Sequence, residues 1–209
     1  MEREAKTTRA GGRRKGRPSP RERLLASATH LFTTEGIRVI GIDRILREAD
    51  VAKASLYSLF GSKDALVVAY VEALDAQWRA DWEKRTAEMT APDHKVLAFF
   101  DQCIDEEPKK NFRGSHFLNA ATEYPRPETE LEQKIVTTAQ AHREWQLATI
   151  TDLLTTLNGF PSATLAHQVL VFLEGGLAGA TMTQNVQPLL TGRDLADSLI
   201  SAPPADYSI

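Results

Sequence analysis

Apolar side chains enter this chain abruptly. Residues 1–18 hold no leucine, isoleucine, valine or aromatic residue, so nothing there can anchor to a core and the segment reads as an unfolded arm. From residue 19 the pattern turns helical. Leu24, Leu25, Ala28, Leu31 and Phe32 recur at the spacing of one helix face. Ser19 before Pro20, with Glu22 in the same turn, has the form of a capped start, and Gly36 that of a helix end. Ile42, Ile45, Leu46 and Ala49 mark a second, short helix. Asp50-Val51-Ala52 is a tight turn, and residues 53–59 form a third short helix carrying Leu56 and Leu59, with Phe60 just behind. Gly61 ends it, and Ser62 caps a fourth.

The fourth helix carries Val67, Tyr70, Val71, Leu74 and Trp78 and extends through Trp82 to about residue 88, where Pro92 stops any continuation. An apolar helix over 96–104 ends at Glu106-Glu107-Pro108, and 109–114 reads as loop. A short helix covers 115–123, stopped by Pro125 and Pro127. A long one covers 128–157 and closes at Asn158-Gly159. Another covers 162–184; Pro188 and Gly192 bracket a loop, and 193–201 is the last helix. No segment combines strand alternation with hairpin turns. The expected fold is all-α, with about nine helices.

Two short helices joined by a tight turn, supported by a longer first helix, have helix-turn-helix proportions. The expected organisation is a basic arm over 1–18, a helix-turn-helix DNA-binding domain over 19–66, and a helical ligand-binding and dimerisation domain over 67–209.

Charge sharpens this division. Residues 1–66 hold 14 Lys and Arg against 8 Asp and Glu, while 67–209 hold 11 against 20. A basic front on an acidic body calls for an anionic partner at the front only, with nucleic acid ahead of an anionic membrane surface. Hydrophobic residues at 42% and charged residues at 25% are ordinary for a globular chain. No run of 18 apolar residues is found, so no membrane span is expected, and the charged N-terminus lacks the apolar run of a secretory signal. The single cysteine, Cys103, excludes an internal disulfide and suits a reducing compartment; a cytoplasmic protein is expected.

The stretch Val51-Ala52-Lys53-Ala54-Ser55-Leu56-Tyr57-Ser58-Leu59-Phe60-Gly61-Ser62-Lys63-Asp64-Ala65-Leu66, with Phe32, Gly36 and the helix from Ile45 to Ala49, resembles the tetracycline-repressor (TetR) family of one-component regulators. The resemblance covers about residues 20–66. Beyond it, Arg113-Gly114-Ser115-His116-Phe117-Leu118-Asn119-Ala120-Ala121-Thr122-Glu123-Tyr124 is similar to a segment seen in a subset of these regulators. The chain departs from the family pattern at both cap positions, Gly41 and Ala52, where serine or threonine is usual. It departs again at Ser58 and Leu59, where aromatic residues or histidine are frequent.

Residue chemistry then assigns roles. Lys53, at the start of the third helix, suits a phosphate or a guanine edge. Ala54, Ser55 and Ser58 lie along the same helix, the serines as short donors or acceptors. The resemblance implies a phosphate bond from Tyr57. Lys63, at the N-terminus of helix four, suits a phosphate, as does Arg44 on the polar side of helix two. In the arm, Arg13, Arg14, Lys15 and Arg17 surround Gly16 in a Lys-Gly-Arg-Pro run resembling a minor-groove hook. Leu56 and Phe60 are expected in the core.

In the long helix the stripe Leu131, Ile135, Thr138, His142, Trp145, Thr149 and Leu153 is apolar but for interruptions at Thr138, His142 and Thr149. Buried polar groups need partners, and a small apolar pocket with a few placed polar groups is what a ligand site looks like. The expected walls are Trp78, Trp82, Phe99, Phe100, Cys103, Phe117, Asn119, Tyr124, Thr138, His142, Trp145 and Thr149. The resemblance implies a homodimer through helices 162–184 and 193–201, reading a palindrome in double-stranded DNA. It implies a regulator, most simply a repressor released by a small, largely apolar effector. The alternative is an architectural or division-linked DNA-binding protein of the same fold without an effector. Catalysis is not expected: Ser115-His116 are merely adjacent, the histidines and Cys103 lack metal-ligand spacing, and no glycine-rich phosphate loop occurs. No cofactor or metal is expected.

Overall fold

The computed structural model of the chain describes residues 16–202, so Arg13, Arg14 and Lys15 lie outside the described residues. The elements are α1 (Pro20–Glu35), α2 (Ile42–Ala49), α3 (Lys53–Phe60), α4 (Lys63–Thr86), α5 (Pro92–Glu106), a turn of 3-10 helix (Pro108–Lys110), α6 (His116–Glu123), α7 (Glu130–Asn158), α8 (Ala163–Thr183) and α9 (Gln187–Ser201). Among the described residues there are helices and no strands.

Local chemistry explains the entry of α1. The Ser19 hydroxyl accepts from the Glu22 amide and the Glu22 carboxylate accepts from the Ser19 amide, a reciprocal cap, with Pro20 in the first turn. Arg23, on α1, closes the far end of α2: its guanidinium donates to the carbonyls of Ala49 and Asp50, each at 2.9 Å. Asp50 itself turns left-handed, with φ 51°. This holds α2 and α3 in their short turn.

Two apolar cores follow one another along the molecule. The first collects Leu24, Leu31, Phe32, Ile45, Leu56, Leu66, Val67 and Tyr70 from α1–α4. It continues into the body through Phe117 and Tyr124 beside α6 and Ile135 and Ala139 on α7. The second joins α4, α5, α7, α8 and α9 through Trp82, Phe99, Phe100, Ile150, Leu170 and Leu189. Helix α4 runs through both.

Proline was the main source of misplaced boundaries. Pro92 opens α5 instead of merely ending what precedes it, and Pro188 lies in the first turn of α9 instead of a loop. The first turn has no use for the missing amide proton, so the residue that stops one helix starts the next. Gly192 is likewise inside α9. A Cβ there would lie 2.8 Å from the Phe172 carbonyl oxygen, and one at Gly176 would lie 3.1 Å from the Leu189 Cα. These glycines let α8 and α9 approach backbone to backbone.

The buried face of α7 is Ile135, Ala139, His142, Gln146, Ile150 and Leu154. It coincides with the expected stripe at Ile135 and His142 and then turns by one residue, burying Gln146, Ile150 and Leu154 where Trp145, Thr149 and Leu153 are only half-buried; Leu131 is exposed. Helix α8 is long and apolar enough, by length and composition, to cross a membrane, with a mean hydropathy of 1.2. The expectation drawn from apolar runs did not register it. Here its buried face packs against α7 and α9.

Candidate nucleic-acid interface

Helix α3 is held by a single fully buried side chain, Leu56, with Phe60 half-buried under the Arg21 guanidinium. Lys53, Ala54, Tyr57 and Ser58 are exposed, and Tyr57 keeps 47% of its surface open. A phenol left that open on a short helix has no packing role to account for it. Ser55 is half-buried on the flank. Leu59, where the chain departs from the family pattern, is 40% exposed. Neither α2 nor α3 has a side-chain cap, in keeping with Gly41 and Ala52 at those positions.

Several expected phosphate contacts already have protein partners. Arg44 forms a two-pronged pair with Glu35, whose hydrogen bond raises the guanidinium pKa further. Lys53 lies 3.5 Å from Asp43, with both side chains open to solvent. Arg17 pairs with Asp50 and holds that carboxyl below its usual range. Lys63 departs most from expectation. It does not point outward: its ammonium donates to the Ile37 carbonyl at 2.7 Å beside the Phe32 ring, and burial lowers its pKa. The first turn of α4 is packed on the loop between α1 and α2, so the side chain folds back to satisfy a carbonyl.

In the body, Trp78, Trp82, Phe99 and Trp145 form one ring cluster. Trp82 and Phe99 centroids are 4.9 Å apart, and Trp78 and Trp145 are 5.7 Å apart, edge to face. His142 stacks on Phe117 at 3.6 Å and meets Trp78 at 5.1 Å. His142 Nδ1 lies 2.7 Å from Asp75 Oδ1. Burial lowers the imidazole pKa against the opposing pull of Asp75. For Asp75, burial works upward, but hydrogen bonds from His142 and Arg79 outweigh it and leave the carboxyl below its usual value.

Of the remaining expected walls several are elsewhere, whereas Cys103, one turn from Phe99 on α5, lies in the same second core as Trp82 and Phe99. Phe100 turns toward α9, its ring 3.5 Å from where a Gly192 Cβ would be. Tyr124 joins the first core and donates to Asp64 at 3.2 Å. Asn119 donates to the Arg113 carbonyl and ties down the loop before α6. Thr138 bonds back to the Lys134 carbonyl within its own helix. Thr149 is half-buried. Cys103 is buried in the second core, and burial pushes its thiol up to about 12. Adjacent residues on a helix diverge by roughly 100°, so Phe99 and Phe100 cannot share a wall.

Sequence reasoning missed Asp75 and Arg79, which surround His142, and Gln102, which donates to the Trp78 carbonyl at 3.1 Å. Gln102 Oε1 and Trp82 Nε1 are buried without a hydrogen-bond partner among the described residues. It also missed Arg38 and Glu123, which join the front of the molecule to α6.

Residues 24–70 match the sequence model of bacterial regulatory proteins of the tetR family. The HTH-type transcriptional regulator EthR of Mycolicibacterium smegmatis is 27% identical over 162 residues, covering 70% of this chain and 75% of its own. The HTH-type transcriptional repressor NemR of Escherichia coli is 30% identical over 91 residues, 41% of this chain and 44% of its own. Among solved structures, SCO4454, a TetR-family transcriptional regulator from Streptomyces coelicolor, superposes with a TM-score of 0.79 and 32% identity, covering 87% of this chain and 94% of that one.

Proposed function

This chain belongs to the tetR family of DNA-binding transcriptional regulators, and from that premise we propose that it acts in the cytoplasm as a homodimeric repressor released from a palindromic operator by a small, largely apolar effector. The observation that carries the DNA reading is the face of α3. Lys53, Ala54, Tyr57 and Ser58 stand clear of a helix anchored by Leu56, which is how a recognition helix must be presented to a major groove. Arg44 and Lys53, in exposed ion pairs, exchange a carboxylate for a phosphate at little cost, because such pairs are weak.

The dimer reading is supported by α8 and α9. Val171, Gly175, Ala178 and Met182 make an exposed stripe along one side of α8, Met182 with 85% of its surface open, and Leu195 is exposed on α9. Glycine and alanine there leave room for a helix of a second copy. The effector reading is supported by the ring cluster of Trp78, Trp82, Phe99 and Trp145, with the unpartnered Trp82 Nε1 and Gln102 Oε1 in its helices. An aromatic or alicyclic molecule bearing both a donor and an acceptor would suit them. Such a ligand releases DNA only if it binds the non-operator geometry more tightly.

The test is selection of genomic DNA fragments by the purified full-length protein. A short palindrome near one or a few promoters supports the reading. Dense binding across the genome favours the architectural alternative, and no enrichment at low salt refutes both. An effector is then identified by release of the selected fragment.

A further inference from the structure

Beside the shared apolar core, one carboxylate of the body engages the loop after α1 in the DNA-reading front. Glu123, the last residue of α6, reaches the loop between α1 and α2. Its Oε1 accepts from the Ile37 amide at 3.0 Å and its Oε2 from the Arg38 amide at 2.6 Å. The clasp is reciprocal, since Arg38 Nε donates to the Glu123 main-chain carbonyl at 3.0 Å. That bond satisfies a carbonyl which the end of α6 would otherwise leave free. The Arg38 guanidinium also lies 4.4 Å above the Tyr124 ring and 3.4 Å from Glu132 at the start of α7. From the other side, Lys63 holds the Ile37 carbonyl. The two amides of 37 and 38 and the carbonyl of 37 are therefore all engaged by groups outside their own loop.

Gly36 makes the approach possible. Its φ is 110°, and a Cβ there would stand 3.3 Å from Glu123 Oε1. A side chain at this position would crowd the carboxylate that the next two amides receive.

The joint has a mechanical consequence. Two kinds of contact hold the front to the body: the apolar first core shared by α1–α4, α6 and α7, and a polar group of contacts centred on Glu123 that includes the Tyr124–Asp64 hydrogen bond. Apolar packing is non-directional and tolerates small rotations, whereas a carboxylate on two consecutive amides is directional and charge-assisted. Helix α6 is itself seated on α7 through the Phe117–His142 stack at 3.6 Å. The tilt of the recognition helix relative to the dimer face of the body is thereby referred to α6. In a two-fold dimer that tilt sets the distance between the two recognition helices, and hence the half-site spacing that can be read.

We propose that Glu123 is a positioning residue for operator recognition, fixing the half-site spacing the protein accepts without touching DNA. The proposal rests on the DNA-binding and homodimer readings and is independent of any effector.

The test uses full-length protein and duplexes derived from the genomic fragment it selects. One series carries both half-sites at the native spacing or with one or two base pairs inserted; another carries a single half-site. For the wild type, insertion should weaken binding by about tenfold or more. Glu123→Gln replaces one acceptor oxygen with a donor NH2, so only one of the two main-chain amides keeps its acceptor. It should weaken binding at native spacing by about tenfold, shrink the insertion penalty to less than about threefold, and leave single half-site binding unchanged. A uniform loss on every duplex, or an undiminished insertion penalty, would overturn the proposal. Should Glu123→Gln fail to fold, Glu123→Asp, too short to reach both amides, replaces it in the same series. Hydrogen exchange on the wild type is a second check, with Ile37 and Arg38 amides expected to be protected like those inside α1; exchange at loop rates refutes the clasp. Failure to select any DNA would instead reject the underlying reading.

Discussion

His142 on α7 and Asp75 on α4 meet at 2.7 Å in the middle of the body, where Arg79 also donates to the same carboxylate at 2.9 Å. An ionised carboxylate only accepts, so the shared proton sits on the imidazole Nδ1. The ring is then fixed in plane against Phe117 and edge-on to Trp78. Removing Asp75 leaves the buried His142 Nδ1 proton without an acceptor, while removing His142 takes one of the donors from Asp75 and opens space beside Phe117 and Trp78. We expect His142→Ala and Asp75→Ala each to cost about 2–3 kcal/mol, with a coupling of about 1–2 kcal/mol in the double-mutant cycle by urea unfolding. Additive single losses would show that the contact carries no energy of its own.

Histidine also sets the acid limit of stability. Burial, with Lys110 and Arg113 nearby, pushes the His116 imidazole down to about 3, and burial lowers His142 as well. Both are neutral in the fold, while in the unfolded chain they take up protons below about pH 6.5. The unfolded state then binds more protons, so stability falls as the pH drops from about 6.5 toward 3. At pH 5 the loss is up to about 2 kcal/mol for each fully shifted histidine. Replacing His116 with Gln should flatten the fall in stability between pH 7 and pH 5. An unaltered pH slope in the variant would assign the acid sensitivity elsewhere.

The short front helices were legible because each depends on neighbours in sequence. The Ser19–Glu22 cap, Gly36 at the end of α1 and the Ser62 cap of α4 all stand where local spacing put them. The Glu123 clasp was not legible, because its donors are main-chain amides 85 and 86 residues away and leave no mark in residue type. Arg23 on the end of α2 was hidden for the same reason. In the body, apolar spacing located the helices but marked a face of α7 partly rotated from the buried one. It could not tell a ring that meets another ring from one that turns to a different helix, and that separates Phe99 from Phe100.

The close approach of α8 and α9 gives a sharp contrast between two glycines. A Cβ at Gly192 meets a backbone oxygen at 2.8 Å, which cannot move without shifting α8. Gly192→Ala should therefore destabilise the protein by about 1–3 kcal/mol despite the better helix propensity of alanine. At Gly41, ahead of α2, a Cβ meets nothing within 4 Å. Gly41→Ser should be tolerated, with a gain of a few tenths of a kcal/mol from the added cap. Equal thermal midpoints for the two variants would mean that α8 and α9 are less tightly seated than the backbone distances require.

Ala52 offers the opposite case, a position where the natural residue leaves stability unused. It stands at the N-cap of α3 with φ −68° and ψ 146°, the extended geometry a capping residue needs, yet it contributes no side-chain bond. At the next helix start, Ser62 in a similar extended conformation accepts from the Ala65 amide at 3.0 Å. A serine at 52 would accept in the same way from the Ser55 amide, which now bonds only the Ala52 carbonyl at 2.9 Å. Ala52→Ser should add about 1 kcal/mol of stability, seen as a higher urea midpoint at unchanged slope and a thermal midpoint raised by about 2–4 °C. Its hydroxyl still has a proton to give. Position 52 is exposed beside the outward face of α3, so that proton is available to a phosphate, and affinity for the selected DNA fragment should rise by about two- to fivefold. A stability gain with weaker binding would point to a different arrangement, in which the free amides at the start of α3 hold the phosphate themselves and the new hydroxyl competes for them.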